Sequence, residues 1–162
     1  MEIHIVLDNI RSVFNVGSIF RSADGAGGVK KIYLCGMTAD IDNPKLEKTA
    51  LGAIDMVPSQ HYDTTQEALE EIREQNIPIY SVELTEDAED FQKVEYPEKL
   101  ALVFGHEKMG VGEEILKDSD KKIFVPMRGK KESLNVANCA TTVLYEITRR
   151  GWSYCVSNRS VV

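Results

Sequence analysis

Leu100-Ala-Leu-Val-Phe104 is apolar at every position and runs directly into a loop, Gly105-His-Glu-Lys-Met-Gly-Val-Gly112. An unbroken run rich in Leu, Val and Phe reads as a strand buried on both faces, and strands of that kind belong to parallel sheets covered by helices. Glycines at a strand's carboxyl end let a ligand approach the backbone, and in open α/β sheets ligands sit at that end. The loop matches neither G-x-x-x-x-G-K-[ST] nor G-x-G-x-x-G. Glu113 and Glu114 follow it and would repel a phosphate. A ligand with hydroxyls or a positive charge suits it better. A plain turn between strand and helix would use the same residues.

Strand-like and helix-like segments alternate along the whole chain. Residues 3–7 form the first strand. Val16, Ile19, Phe20 and Ala23 then recur at helical spacing, with Gly25, Gly27 and Gly28 ending that helix. Residues 31–34 are a short strand. Asn43-Pro44 reads as a cap and first helical residue, with Gly52 as the stop. Thr64-x-x-Glu67 is a capping box that opens an amphipathic helix with Ala68, Leu69 and Ile72 inward. A strand at 77–82 follows and leads into an irregular acidic course, and strands at 100–104 and 122–125 come next, with a short helix at 113–117 between them. A last helix starts near Ser133, carries Val136, Ala140, Val143, Leu144 and Ile147 on its apolar face, and closes at Arg149-Arg150-Gly151. This alternation predicts one α/β domain, residues 1–162, around a largely parallel sheet flanked by helices.

The chain's 162 residues are 43% hydrophobic and 28% charged, as expected of a globular protein. Neither a signal peptide nor a transmembrane stretch is apparent, so no membrane is expected. Cys35, Cys139 and Cys155 lack C-x-x-C spacing and read as reduced thiols of a cytoplasmic protein. His4, His61 and His106 are scattered, so no metal is expected. The net charge of −7 is uneven: residues 63–98 hold 12 acidic and two basic residues, and the remainder is net +3. A polyanionic partner therefore remains compatible with the chain.

Two further segments carry possible chemistry. Gly17, Ser18, Arg21, Asp24 and Gly25 lie at i, i+3 and i+4 spacing, a small polar face around one arginine. The glycines beside Arg21 suggest that something approaches closely. A solvated arginine beside an i+3 aspartate is the plainer alternative. In Val125-Pro-Met-Arg-Gly-Lys-Lys-Glu-Ser-Leu-Asn-Val136, Ser133 can cap the last helix and Asn135 falls in its first turn. Arg128, Lys130 and Lys131 can engage phosphates, or can form an ordinary solvated basic loop.

Three of these stretches resemble the motifs of the SpoU (TrmH-type) RNA 2′-O-ribose methyltransferases, in order and at the family's spacing. They are Asn15-x5-Arg21 after the first strand, Phe104-Gly-His-Glu107-x-x-Gly110, and Val125-Pro-Met-x-Gly129…Ser133-Leu-Asn-Val…Leu144-Tyr-Glu146. Thr49-Ala-Leu-Gly-Ala53 is similar to a smaller stretch of that family. The resemblance implies an α/β fold with a C-terminal trefoil knot, one of the rare exceptions to unknotted topology. It implies S-adenosylmethionine as cofactor, held at Gly105, Val125 and Leu134 with Phe104, Met127 and Ser133 beside them. It also implies catalysis by Arg21, Asn15, Glu107, Ser133 and Asn135, an RNA substrate (tRNA or rRNA), and a homodimer that builds its site from both subunits. Guanidinium holds its proton, so Arg21 would act by charge, holding a phosphate and stabilising the developing 2′-alkoxide.

The chain departs from the family's common Ser-Leu-Asn-Val-Ser-Val-Ala at Ala137 and Asn138, which bears on hydrogen bonding in the pocket. The separate N-terminal RNA-binding domain of many relatives is not apparent. Trp152 and Tyr154 read as packing residues, at the partner subunit or the sheet. The alternative to an enzyme is a non-catalytic RNA-binding module that kept the fold. Against it stand Asn15, Arg21, Glu107, Ser133 and Asn135, all present. A nicotinamide-dependent oxidoreductase is disfavoured because no glycine fingerprint follows the first strand.

Overall fold

A computed structural model describes residues 1–149. Its strands are β1 (Glu2–Asp8), β2 (Val29–Cys35), β3 (Ser59–Tyr62), β4 (Ile79–Val82), β5 (Glu89–Asp90), β6 (Lys99–Phe104) and β7 (Lys121–Phe124). Its helices are α1 (Val13–Ala26), α2 (Pro44–Ala50), α3 (Thr65–Glu74), α4 (Glu113–Asp118) and α5 (Val136–Arg149). All seven strands form one sheet in the order β3-β2-β1-β6-β4-β7-β5, every pairing parallel.

The unbroken apolar run of β6 is buried on both faces, as its composition predicts. Leu100, Leu102 and Phe104 join the layer under α1 and α5, together with Ile3, Ile5 and Leu7 of β1. Ala101 and Val103 face the opposite layer, where Ala68, Leu69 and Ile72 of α3 and Ile115 of α4 pack on the sheet. The capping box of α3 is complete: Thr64 Oγ1 accepts from Glu67 N, and Glu67 Oε2 accepts from Thr64 N, both at 3.3 Å. At the end of α1, Gly27 has φ of 70° and donates its N–H to Ala23 O at 3.2 Å, so a glycine serves as the stop.

Strand order sets the location of the site. After β1 the chain passes through α1 to β2 on one side, whereas after β6 it passes through α4 to β7 on the other. The carboxyl ends of β1 and β6 are neighbours, with Leu7 opposite Phe104. Their connections diverge there, leaving a crevice at a topological switch point.

Three expectations change. Ser59–Tyr62 and Glu89–Asp90, the latter within the irregular acidic course, add two strands to those expected. Helix α5 begins at Val136, not near Ser133: Asn135 Oδ1 accepts from Ala137 N at 3.0 Å and Asn138 N at 3.3 Å, so Asn135 is the cap. The polar face proposed for α1 is not continuous, because Gly17 is buried. A Cβ at Gly17 would overlap the Thr49 hydroxyl and lie 2.8 Å from the Thr49 carbonyl carbon, so it is α2 that comes close. Residues 150–162, including Arg150, Gly151, Trp152, Tyr154 and Cys155, lie outside the described residues.

The α1–α2 contact yields a stability prediction. Gly17→Ala gains helix propensity but forces the two helices apart, and overpacking of this kind costs about 1–3 kcal/mol. The urea midpoint should fall accordingly. An unchanged or raised midpoint would mean that the helices separate freely.

Candidate active site

The loop after β6 is built to hold its own shape. Gly110 N donates to His106 O at 2.9 Å, and His106 Nδ1 accepts from Lys108 N at 3.0 Å and Met109 N at 3.3 Å. A Cβ at Gly105 would overlap the Gly110 carbonyl carbon and Val111 nitrogen, and one at Gly110 would overlap Glu83 Oε2. The close approach at Gly105 is therefore the loop folding back on itself. Two carboxylates from neighbouring strand ends fasten its far side: Glu83 Oε2 accepts from Val111 N at 3.0 Å, and Asp8 Oδ2 accepts from Gly112 N at 3.1 Å.

Glu107 crosses the crevice. Its Oε2 accepts from Arg11 N at 3.0 Å, and its Oε1 accepts from Ser12 N at 2.8 Å and Asn15 Nδ2 at 2.9 Å. Asn15 Oδ1 in turn accepts from Asn135 Nδ2 at 3.0 Å. Each amide orientation fixes the next. A carboxylate only accepts, so Asn15 must turn its NH2 to Glu107 and its oxygen to Asn135. Asn135 then offers its own oxygen to the first N–H groups of α5. One relay thus ties together segments 92 and 120 residues apart.

Burial pushes the Glu107 carboxyl upward, but the N–H groups of Arg11 and Ser12, with Asn15, outweigh it and hold the group below the ordinary carboxylate range. Because the folded value is the lower one, this clamp stabilises the chain above the unfolded pKa and loses its effect as pH falls through the folded value. The stability gap between the parent and Glu107→Gln should therefore be open at pH 7 and narrow below about pH 4. Denaturant titrations at several pH values would measure it. A gap independent of pH would contradict the charged clamp.

Beside the relay lies a cavity of about 770 Å³, between the carboxyl ends of β4, β6 and β7 and the start of α5. All six residues expected to hold a cofactor, Phe104, Gly105, Val125, Met127, Ser133 and Leu134, line it. Glu107 and Asn135 line it as well. Asn15 is not among the lining residues and reaches the site through its two hydrogen bonds.

Arg21 is not brought into this group. It is exposed, six residues beyond Asn15 on α1, and forms no ion pair with Asp24. Neither departure from the family pattern lines the cavity. Ala137 is buried, and Asn138 meets the relay only through its backbone N–H.

Glu83 and Leu84 line the cavity and were not singled out in the sequence. Glu83 directly follows a strand, as a site residue would, but it is one of the twelve carboxylates of the acidic course. Cys139 also lines the cavity, and burial, with the charge of Glu83, pushes its thiol up to about 11, so it stays protonated and serves as a small wall. Among the described residues no cluster of three or more His, Cys, Asp or Glu is placed to hold a metal, and no helix is long and apolar enough to cross a membrane.

The family model described as SpoU rRNA methylase matches residues 2–145. The chain is 33% identical over 149 residues to the tRNA (guanosine(18)-2′-O)-methyltransferase of Thermus thermophilus, covering 92% of this chain and 75% of that one. It is 29% identical over 143 residues to the 23S rRNA (guanosine(2553)-2′-O)-methyltransferase RlmP of Bacillus subtilis, covering 88% and 56%. Among solved structures it is similar to the SpoU methyltransferase AviRb of Streptomyces viridochromogenes in complex with AdoMet. There the TM-score is 0.85 at 26% identity, covering 93% of this chain and 60% of AviRb. The chain thus spans three quarters of the Thermus protein but less than two thirds of the other two.

Proposed function

The chain belongs to the SpoU rRNA methylase family, and on that footing we propose that it transfers a methyl group from S-adenosylmethionine to a ribose 2′-hydroxyl of RNA. The observation that carries this assignment is the Glu107–Asn15–Asn135 relay, which unites the three motif segments at the rim of one cavity.

The cavity suits the cofactor. Its volume of about 770 Å³ fits a small-molecule site. Val82, Leu84, Phe104, Val125 and Leu134 offer apolar contact for a base, while Glu83 and Glu107 favour hydroxyls and positive charge. Gly105, Val125 and Leu134 would hold the cofactor through backbone groups, with Phe104, Met127 and Ser133 beside them. When bound, S-adenosylmethionine supplies a methyl group already activated on a sulfonium.

The chain's own task is to position the ribose and to manage charge. Ser133 and Asn135 line the cavity and would contact the ribose, and Asn15, held by Glu107, fixes Asn135 in turn. Arg21 keeps its proton, so it holds a substrate phosphate and stabilises the negative charge that builds on the 2′-oxygen. The released proton passes to a phosphate oxygen or to water.

Arg21 stands apart from the cavity of its own chain, which fits a homodimer in which each Arg21 serves the partner's cavity. The interface would use α5 and the residues around Trp152. Light scattering at micromolar concentration should give the mass of two chains, and the mass of one would contradict a shared site. In this account residues 1–162 form a single cytoplasmic methyltransferase domain whose C-terminal segment makes the family's trefoil knot.

Calorimetric titration tests the cofactor assignment. S-adenosylmethionine should bind one molecule per chain, and NAD should not bind. Binding of NAD with no response to S-adenosylmethionine would overturn it.

A further inference from the structure

At the loop 106–108 lies a second recess, of about 280 Å³, lined by Arg11, Ser12, His106, Glu107 and Lys108. Three of these, His106, Glu107 and Lys108, also line the larger cavity, so the two spaces are neighbours. We infer that this recess is a binding subsite for a backbone phosphodiester of the RNA, adjoining the ribose that is methylated. The inference rests on the assignment of the chain as an RNA methyltransferase.

Four of the five lining residues, Arg11, Ser12, His106 and Lys108, carry side-chain donors. Arg11 and Lys108 are exposed and have no carboxylate partner among the described residues. His106 Nδ1 already accepts two backbone N–H groups, so the neutral ring carries its proton on Nε2. Ser12 Oγ accepts from Asn15 N, which leaves its O–H to donate. The one carboxylate, Glu107, is engaged by three N–H donors and does not capture either cation. Two cations against one carboxylate leave the recess net positive.

Its placement suits a diester rather than a free anion. A ribose 2′-oxygen lies within a few bonds of its own 3′-phosphate, so a ribose at the Ser133–Asn135 rim would carry a phosphate across Glu107. The clamp also fixes the backbone of Arg11 and Ser12, so the subsite is preorganised and does not depend on α1 alone.

The test compares the parent with Arg11→Gln, which keeps the backbone N–H that Glu107 needs. Binding of a fluorescent 20-nucleotide single-stranded RNA of mixed sequence is followed by anisotropy across a salt series. Loss of one phosphate contact should make the slope of log K against log salt shallower by about 0.7. Affinity at low salt should fall about tenfold, the scale of one charged hydrogen bond. Arg11→Lys should restore most of the slope. S-adenosylmethionine affinity, measured by calorimetry, should stay at the parental value.

An unchanged salt slope in Arg11→Gln would overturn the subsite while leaving the methyltransferase assignment intact. Loss of S-adenosylmethionine binding by the parent would instead strike the assignment. Micromolar binding of inorganic phosphate, abolished by Arg11→Gln, would make the recess a small-anion site and overturn the diester. A change from dimer mass to monomer mass in Arg11→Gln would place the recess at a subunit contact, which also overturns it.

Discussion

Arg21→Ala is expected to lower methyl transfer to RNA by roughly 100-fold or more, the scale seen when one preorganised charge-stabilising donor is removed. Stability should change by no more than about 0.5 kcal/mol, as for other exposed positions outside the core. Arg21 is exposed and forms no ion pair, and the packed stripe of α1 is Val16, Ile19, Phe20 and Ala23. Cofactor affinity should persist, because Arg21 is not among the residues that line the cavity. Arg21→Lys should recover little, since an ammonium lacks the planar fork that holds two oxygens together. If each Arg21 serves the partner's cavity, mixing Arg21→Ala subunits with Asn135→Ala subunits should restore activity that neither variant has alone. Transfer by Arg21→Ala at the parental rate would remove Arg21 from the chemistry. Mixed dimers that stay inactive would remove the sharing.

Gly105→Ala should have a large effect on a different quantity. The added carbon would overlap the Gly110 carbonyl carbon and Val111 nitrogen, so the loop must open. That loop carries Glu107 and forms one wall of the cavity. Overpacking of this kind costs about 1–3 kcal/mol, and where it falls on the closed loop it should lower S-adenosylmethionine affinity roughly 10- to 100-fold. Far-UV circular dichroism should still report the parental sheet and helices, because the overlap lies beyond the end of β6. Gly112→Ala is the control. There an added carbon meets Ile115 at 3.7 Å and Asp8 at 3.8 Å, ordinary contacts, and affinity should be retained. Equal affinity in the parent and Gly105→Ala would show that the cavity does not depend on the loop's closed form.

These two residues also mark the boundary of what the sequence reveals. A glycine announces that something comes close but not what does. At Gly17 the visitor is Thr49 of α2, and at Gly105 it is the loop's own return. The first joins segments that the chain order does not identify as neighbours, and the second is set by how tightly one loop turns. Local signals did better, because their physics is local. The capping box at Thr64, the Asn43-Pro44 start of α2 and the unbroken apolar run of β6 all appear in the structure where their patterns place them. Strand β3 escaped notice because Ser-Gln-His-Tyr has no apolar run. It sits at the sheet's edge, paired only with β2, and its side chains are not fully buried.

The candidate site was legible as a set of residues through the family resemblance, but not as a geometry. Nothing in the order of residues says that Asn135 caps α5 with its oxygen while its NH2 reaches Asn15. Nor does it single out Glu83, one of many carboxylates in its stretch, as the group that fastens Val111 beside the cavity. Both facts depend on the parallel order of the sheet, which brings the ends of β1, β4 and β6 to one edge.

The central claim is methyl transfer to a ribose oxygen. The most direct test incubates the protein with methyl-labelled S-adenosylmethionine and total RNA from a strain lacking its gene, then digests the RNA and separates the nucleosides. The account predicts label in a 2′-O-methylnucleoside, at a position where the neighbouring phosphodiester resists alkaline cleavage. Label on a base, or no label above that given by the Asn135→Ala protein, would contradict it.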